Sequence, residues 1–184
     1  MIEKDGIQYA RVSQIISPLA DFSMINPAVL ANKARIGTNV HEAINDYLNE
    51  SFPSISEDEF QYFKSFQAWH RTLQPIYQIK EARYFCPEKR ITGQVDGVAK
   101  LGDQLILIDY KTSASESPSW IYQAHLYDYL LQVSGIETCG RYLFLKLDRN
   151  GKLPKVYEYK HTPRIHSECM DLISDFWNKY SILE

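Results

Sequence analysis

The spacing of apolar residues changes period along the chain, and each change marks an element. Val40, Ala43, Ile44, Tyr47 and Leu48 recur at steps of three and four, which predicts a helix over residues 37–50 with Thr38 as its N-cap. A second stretch of that period, residues 56–73, opens with acidic side chains that suit the positive end of a helix, and Pro75 limits it. The period then falls to two. Residues 79–86, 91–100 and 104–111 read as three successive strands. Pro118, after Ser117, opens a helix that runs to about Val133, where Gly135 can end it. Residues 141–160 read as a β-hairpin around 148–151, and residues 163–180 as a closing amphipathic helix. The order α-α-β-β-β-α-β-β-α predicts an α/β or α+β domain built around one sheet. The chain of 184 residues suits a single domain over 1–184, with no internal repeat.

Composition narrows the function without naming it. A hydrophobic share of 45% and a charged share of 23% are ordinary for a globular protein. The net charge of −3 gives no overall pull toward nucleic acid or anionic membranes, so a polyanionic partner needs a local basic face or a bridging cation. Arg11, Lys33, Arg35, Lys146, Arg149 and Lys152 are the candidates for such a face. Cys86, Cys139 and Cys169 are scattered and form no C-x-x-C, which argues against a zinc ribbon or a cysteine-bound cluster and for reduced thiols in a cytoplasmic protein. The charged start lacks an apolar signal segment, and no apolar run has the length of a membrane span, so no membrane association is expected.

The chemistry concentrates in "GQVDGVAKLGDQLILIDYKT", residues 93–112. Gly102-Asp103 forms a two-residue hairpin loop, with the glycine supplying positive φ. That loop sets Leu101 opposite Gln104, and counting back along both strands sets Asp96 opposite Asp109. Lys111 follows Asp109 by two residues and shares its face. If residues 87–90 make the preceding loop, Cys86 faces Ile91 and Glu81 faces Asp96. Three carboxylates in a row across neighbouring strands repel one another. Relief comes from a raised pKa, from Lys111, or from a divalent cation, and hard oxygen donors of this kind suit Mg²⁺ or Mn²⁺.

The set "GQVDG", "LIDYKTS" and "QAHLY" resembles the PD-(D/E)XK nuclease superfamily in its RecB-like exonuclease branch. "YARVSQII" is similar to that branch's leading segment, "GTNVHEAINDYL" to its histidine-bearing helix, and "KEARYF" to its acid-bearing first core strand. Val95 stands where the family's name has proline. The resemblance implies a restriction-endonuclease-like core, a central mixed β-sheet flanked by helices. It implies a Mg²⁺- or Mn²⁺-dependent deoxyribonuclease acting on DNA ends, single- or double-stranded, in recombination or repair. Asp96 and Asp109 would hold the cation with the backbone carbonyl of Tyr110; His41 and Glu81 would stand beside it. Lys111 would orient the attacking water and steady the phosphate. Gln123 and Tyr127, four apart on one helix face, would support the site and contact substrate. No iron–sulfur cluster is expected, since the members that carry one have four cysteines.

Other readings stay open at this stage. A catalytically inactive nuclease fold could bind DNA or protein, and a structure-specific endonuclease could use the same residues. The resemblance admits a recombination or single-strand-binding protein, or further copies of this chain, as partners, and an intracellular setting of bacterial or phage type. His125 lies off the Gln123 face and reads as structural or exposed, and His70, His161 and His166 show no spacing of a ligand set.

Overall fold

The computed structural model describes residues 1–20 and 26–181. An N-terminal hairpin, β1 (Ile2–Lys4) and β2 (Ile7–Arg11), leads into a short helix α1 (Val12–Ile15) and a 3-10 turn. Two long helices follow, α2 (Pro27–Leu48) and α3 (Glu57–Leu73). Then come β3 (Ile76–Cys86), β4 (Ile91–Leu101) and β5 (Gln104–Lys111), helix α4 (Ser119–Val133), β6 (Arg141–Lys146), β7 (Lys155–Lys160) and α5 (Pro163–Ser181). The seven strands make one mixed sheet. Helices α1, α4 and α5 cover one side over Val95, Val98, Leu107 and Phe144. Helices α2 and α3 cover the other over Ala99, Ile106, Ile108 and Leu145. The expected α/β architecture is therefore observed, and it is consistent with a restriction-endonuclease-like core.

Three expectations need correction. The N-terminal hairpin was not anticipated, although its signal is present: Asp5 and Gly6 take φ of 52° and 74°, the left-handed pair that an Asp-Gly loop provides. Helix α2 starts at Pro27 and not near Gly37, because the Asn26 side chain accepts from the Ala28 N–H at 2.9 Å and Pro27 fills the first turn. Thr38 is thus inside the helix. A Cβ on Gly37 would sit 3.4 Å from Thr112 Oγ1, an ordinary contact, so α2 passes beside the loop after β5. The β6–β7 connection is also longer than the predicted turn, spanning 147–154.

The topology around β4 positions everything that follows. β3 pairs with β4 along one edge. On the other edge β2 pairs in parallel at Ala10↔Ile91 and Arg11↔Thr92, and β5 pairs antiparallel only from Gly97↔Ile108 to Leu101↔Gln104. Between these two partners the edge at residues 93–96 is free of ladder pairing. β5 meanwhile continues alone with β6, from Leu107↔Tyr142 to Lys111↔Lys146. The sheet therefore forks at Asp96 and Asp109.

Glu59 fixes α2 against α3. It is 1% exposed; its Oε1 accepts from Arg35 Nη1 and Asn39 Nδ2, both at 2.7 Å, and its Oε2 accepts from the Ser56 N–H at 3.0 Å. Burial alone would raise its pKa, but the Ser56, Asn39 and Arg35 donors outweigh burial and hold it at about 2. A depressed folded value stabilises above the ordinary 4.5, and that stability is lost as pH falls from there toward 2. Glu59→Gln is expected to cost about 1–3 kcal/mol at neutral pH and to flatten the acid limb below pH 4.5. Urea midpoints at neutral and acid pH check this; equal midpoints at neutral pH would show that the network adds nothing.

Candidate active site

The hairpin register is the one read from the Gly102-Asp103 loop, where Gly102 has φ of 59°. It stops one position short of the two aspartates, so Asp96 and Asp109 are not a paired couple in the ladder. They stand at the first step beyond it, where the strands part. The β3 register behaves alike: Lys80↔Gly97 and Ala82↔Val95 flank Glu81 and Asp96, which are themselves unpaired. Glu81 has φ of 32°, left-handed for a non-glycine residue.

Side-chain alternation changes phase at this point. Val95 packs on the α4 side, while a Cβ on Gly97 would meet the Tyr77 ring at 2.8 Å on the α2 side. Residues two apart in a regular strand share a face; these do not. Asp96 is at the switch, and its carboxylate fills the opening of the fork. Its Oδ2 accepts the Tyr110 N–H of β5 at 2.8 Å, and its Oδ1 lies 3.1 Å from His41 Nδ1. A side chain thus bridges two strands where the backbone ladder has ended. The strict same-face alignment of Glu81, Asp96 and Asp109 is replaced by convergence around the fork.

His41 sits on α2 with both ring nitrogens against acceptors: Nδ1 faces Asp96, and Nε2 is 2.9 Å from the Tyr110 carbonyl oxygen. Both contacts are hydrogen bonds only for an imidazolium. Burial opposes that charge, but Asp96 outweighs it and lifts His41 to about 9. Burial likewise pushes Asp96 upward, yet His41, Lys111 and the Tyr110 N–H hold it below the usual carboxylate range.

Asp109 lies on the α4 side and is 1% exposed. Its Oδ1 accepts from Gln123 Nε2 at 3.1 Å, and its Oδ2 lies 2.6 Å from Lys111 Nζ. That short approach is an ion pair without hydrogen-bond alignment, and Oδ2 is left buried with no hydrogen-bond partner. Burial raises Asp109 to about 6; Lys111 pulls the other way and Asp96 adds to the rise. Lys111 also donates to Gln123 Oε1 at 2.8 Å and lies 5.2 Å from the Phe144 ring centroid. Gln123 Nε2 is 3.0 Å from the Tyr127 hydroxyl, so one amide ties Asp109, Lys111 and Tyr127 together. Tyr127 can lie this close because residue 93 is glycine: a Cβ there would come within 2.7 Å of its ring. Glu81 joins His41, Asp96 and Tyr110 around a small crevice. Its carboxylate accepts from Gln94, which in turn accepts from Arg83.

This donor set fits a divalent cation in its chemistry. Two carboxylates and a backbone carbonyl are hard oxygen ligands, and one buried carboxylate oxygen lacks a hydrogen bond. The side chains are not already gathered round a point: among the described residues no three His, Cys, Asp or Glu groups are disposed as a ready site. Asp96 is turned to His41 and Asp109 to Lys111, so each acid has its own cation.

Further contacts around the site join residues from separate elements. The Tyr110 and Tyr77 hydroxyls are hydrogen-bonded at 2.7 Å, anchoring the residue whose backbone carbonyl faces His41. His125 is buried, with Nδ1 donating to Ile121 O and Nε2 accepting from Thr162 N–H, which fixes a neutral tautomer. His161 and His166 lie near it, with successive ring centroids 5.1 and 5.8 Å apart, though among the described residues they form no metal-ligand group. Asp128, not singled out, is buried and accepts from Thr138, Cys139 and Tyr142 in the same region. No sequence period signals such a cluster, because its members come from separate elements. Among the described residues no helix is long and apolar enough to cross a membrane.

No protein-family model matches the sequence, and no curated protein does. The fold does match solved structures. An alkaline exonuclease of Laribacter hongkongensis aligns with a TM-score of 0.53 at 12% identity, over 95% of this chain and 88% of that one. A proposed exonuclease of Eubacterium rectale aligns with a TM-score of 0.59 at 8% identity, over 94% of this chain and 79% of that one. At these identities the likeness is one of fold.

Proposed function

We propose that this chain is a nuclease that hydrolyses phosphodiester bonds in DNA with Mg²⁺ or Mn²⁺, working from strand ends. The observation that carries the reading is the placement of two acid pairs at the fork between β4 and β5: Asp96 with His41 and the Tyr110 N–H, and Asp109 with Lys111, beside the Tyr110 carbonyl. The fold shared with two proteins described as exonucleases supports it. Asp96, Asp109 and the Tyr110 carbonyl would hold the cation, with His41 and Glu81 beside it. Bound there, the cation supplies a lowered water pKa and neutralises charge on the phosphate. Lys111, paired with Asp109, supplies a second, compact positive charge. Gln123 holds Lys111 and Asp109 at fixed separation, and Tyr127 holds Gln123.

End-labelled linear DNA, single- and double-stranded, is expected to be shortened with Mg²⁺ or Mn²⁺ and to be untouched in EDTA. Closed circles should resist. Rapid cutting of circles would replace the exonuclease reading by an endonuclease one, and no cleavage of any DNA would overturn both.

A further inference from the structure

A second polar cavity of about 340 Å³ opens beside this site. Its walls carry Lys33 of α2, Thr112 and Ser113 after β5, and Lys146, Arg149 and Lys155 from β6, β7 and their connection. Four cationic side chains thus face one cleft in a chain whose net charge is −3. The one acid in the lining, Asp148, turns its Oδ1 to the backbone N–H groups of Asn150 and Lys152, at 2.8 and 3.3 Å. Lys33 and Arg149 are exposed and make no ion pair with any described residue. Of the other basic candidates from the sequence, Arg35 is committed to Glu59 and does not line this cleft.

The lining of the cleft adjoins the fork through chain neighbours and strand register. Thr112 follows Lys111 directly, and Lys146 is the Cα partner of Lys111 on β6, about 4.8 Å away by strand spacing. Lys33, Gly37 and His41 follow one another at helical steps of four along α2, which sets Lys33 about 12 Å from His41 by helical rise. A polyanion lying on Lys111 would reach Lys146 next and Lys33 and Arg149 a few nucleotides on.

We propose that this cleft is a binding subsite for backbone phosphates of the nucleic-acid strand held in the active site, a few nucleotides from the bond that is cut. Lys33, Arg149 and Lys155 supply the charge, and Thr112 and Ser113 supply hydroxyl donors. The identity of the ligand rests on the nuclease reading above. The subsite sets grip on the strand and not the chemistry of cleavage.

The test is binding of a labelled single-stranded oligonucleotide in EDTA, by fluorescence anisotropy over a range of salt. The double variant Lys33→Gln/Arg149→Gln is expected to bind on the order of tenfold more weakly, with a salt slope shallower by about 1.4, the value for two lost phosphate contacts on a single strand. Lys100→Gln, an exposed lysine at the far end of the β4–β5 hairpin, serves as control and should match the parent. The double variant should also cleave a dinucleotide, too short to reach the cleft, at the parental kcat/KM. Unchanged affinity and slope in the double variant, or an equal loss in Lys100→Gln, would overturn the subsite. If nothing is cleaved yet the double variant still loses affinity, the subsite stands and the nuclease reading falls.

Discussion

Asp109→Asn is expected to lower Mg²⁺-dependent cleavage by about 10²–10³-fold, the scale on which a single preorganised group in a dry site acts. Asp96→Asn should do the same. The two losses have different structural partners, which makes the pair informative. Asp109 is tied to Lys111 and Gln123 on the α4 side, and Asp96 to His41 and the Tyr110 N–H in the fork. A shared loss of activity and of Mg²⁺ binding by calorimetry would mean that both carboxylates serve one cation. The fold should survive. Burial raises Asp109 to about 6, so its ionisation costs more in the fold than in the unfolded chain, and a neutral amide of the same shape leaves the metal-free melting temperature equal or higher. Parental activity in either variant would sink the assignment.

The hairpin that carries these acids was legible because a two-residue glycine turn fixes register by geometry alone. The observed pairing from Leu101↔Gln104 to Gly97↔Ile108 follows from it, and so does Cys86↔Ile91 from the four-residue loop before β4. Counting could not reveal where the ladder stops. β2 pairs with the start of β4, on the same edge that β5 joins further along, and β2 was missed. Likewise, alternation predicts faces only while the strand stays regular, and the left-handed backbone at Glu81 lies beside the phase change at Asp96. The first ten residues of α2 were missed because Val29 and Leu30 are exposed, so the apolar stripe begins only at Ile36. The residues brought together around the fork include those proposed from the sequence, His41, Glu81, Asp96, Asp109, Lys111, Gln123 and Tyr127, but their partnerships were not legible there. That His41 would face Asp96 and the Tyr110 carbonyl together depends on how α2 docks, which contacts such as Glu59 with Arg35 and Asn39 decide.

Lys111 separates chemistry from grip. Its side chain is 19% exposed, and its ammonium sits 2.6 Å from Asp109 Oδ2, donates to Gln123, and lies near the rings of Trp120 and Phe144. This enclosure suits a compact charge acting at a fixed point. Lys111→Ala is therefore expected to lower kcat and kcat/KM by similar factors, on the order of 10²–10³. Oligonucleotide binding in EDTA should change little, because Lys33, Lys146, Arg149 and Lys155 remain in the neighbouring cleft. Lys111→Arg should not restore the rate: a planar guanidinium is broader than the space between Gln123 and Asp109 that one ammonium fills. Lys33→Gln should show the opposite division, with weaker binding and an unaltered rate once the strand is bound. Single-turnover cleavage at saturating enzyme decides between the two roles. If Lys111→Ala cleaves there at the parental rate, Lys111 is a phosphate anchor like the cleft lysines, and transition-state stabilisation at the fork rests on the carboxylates and their cation alone.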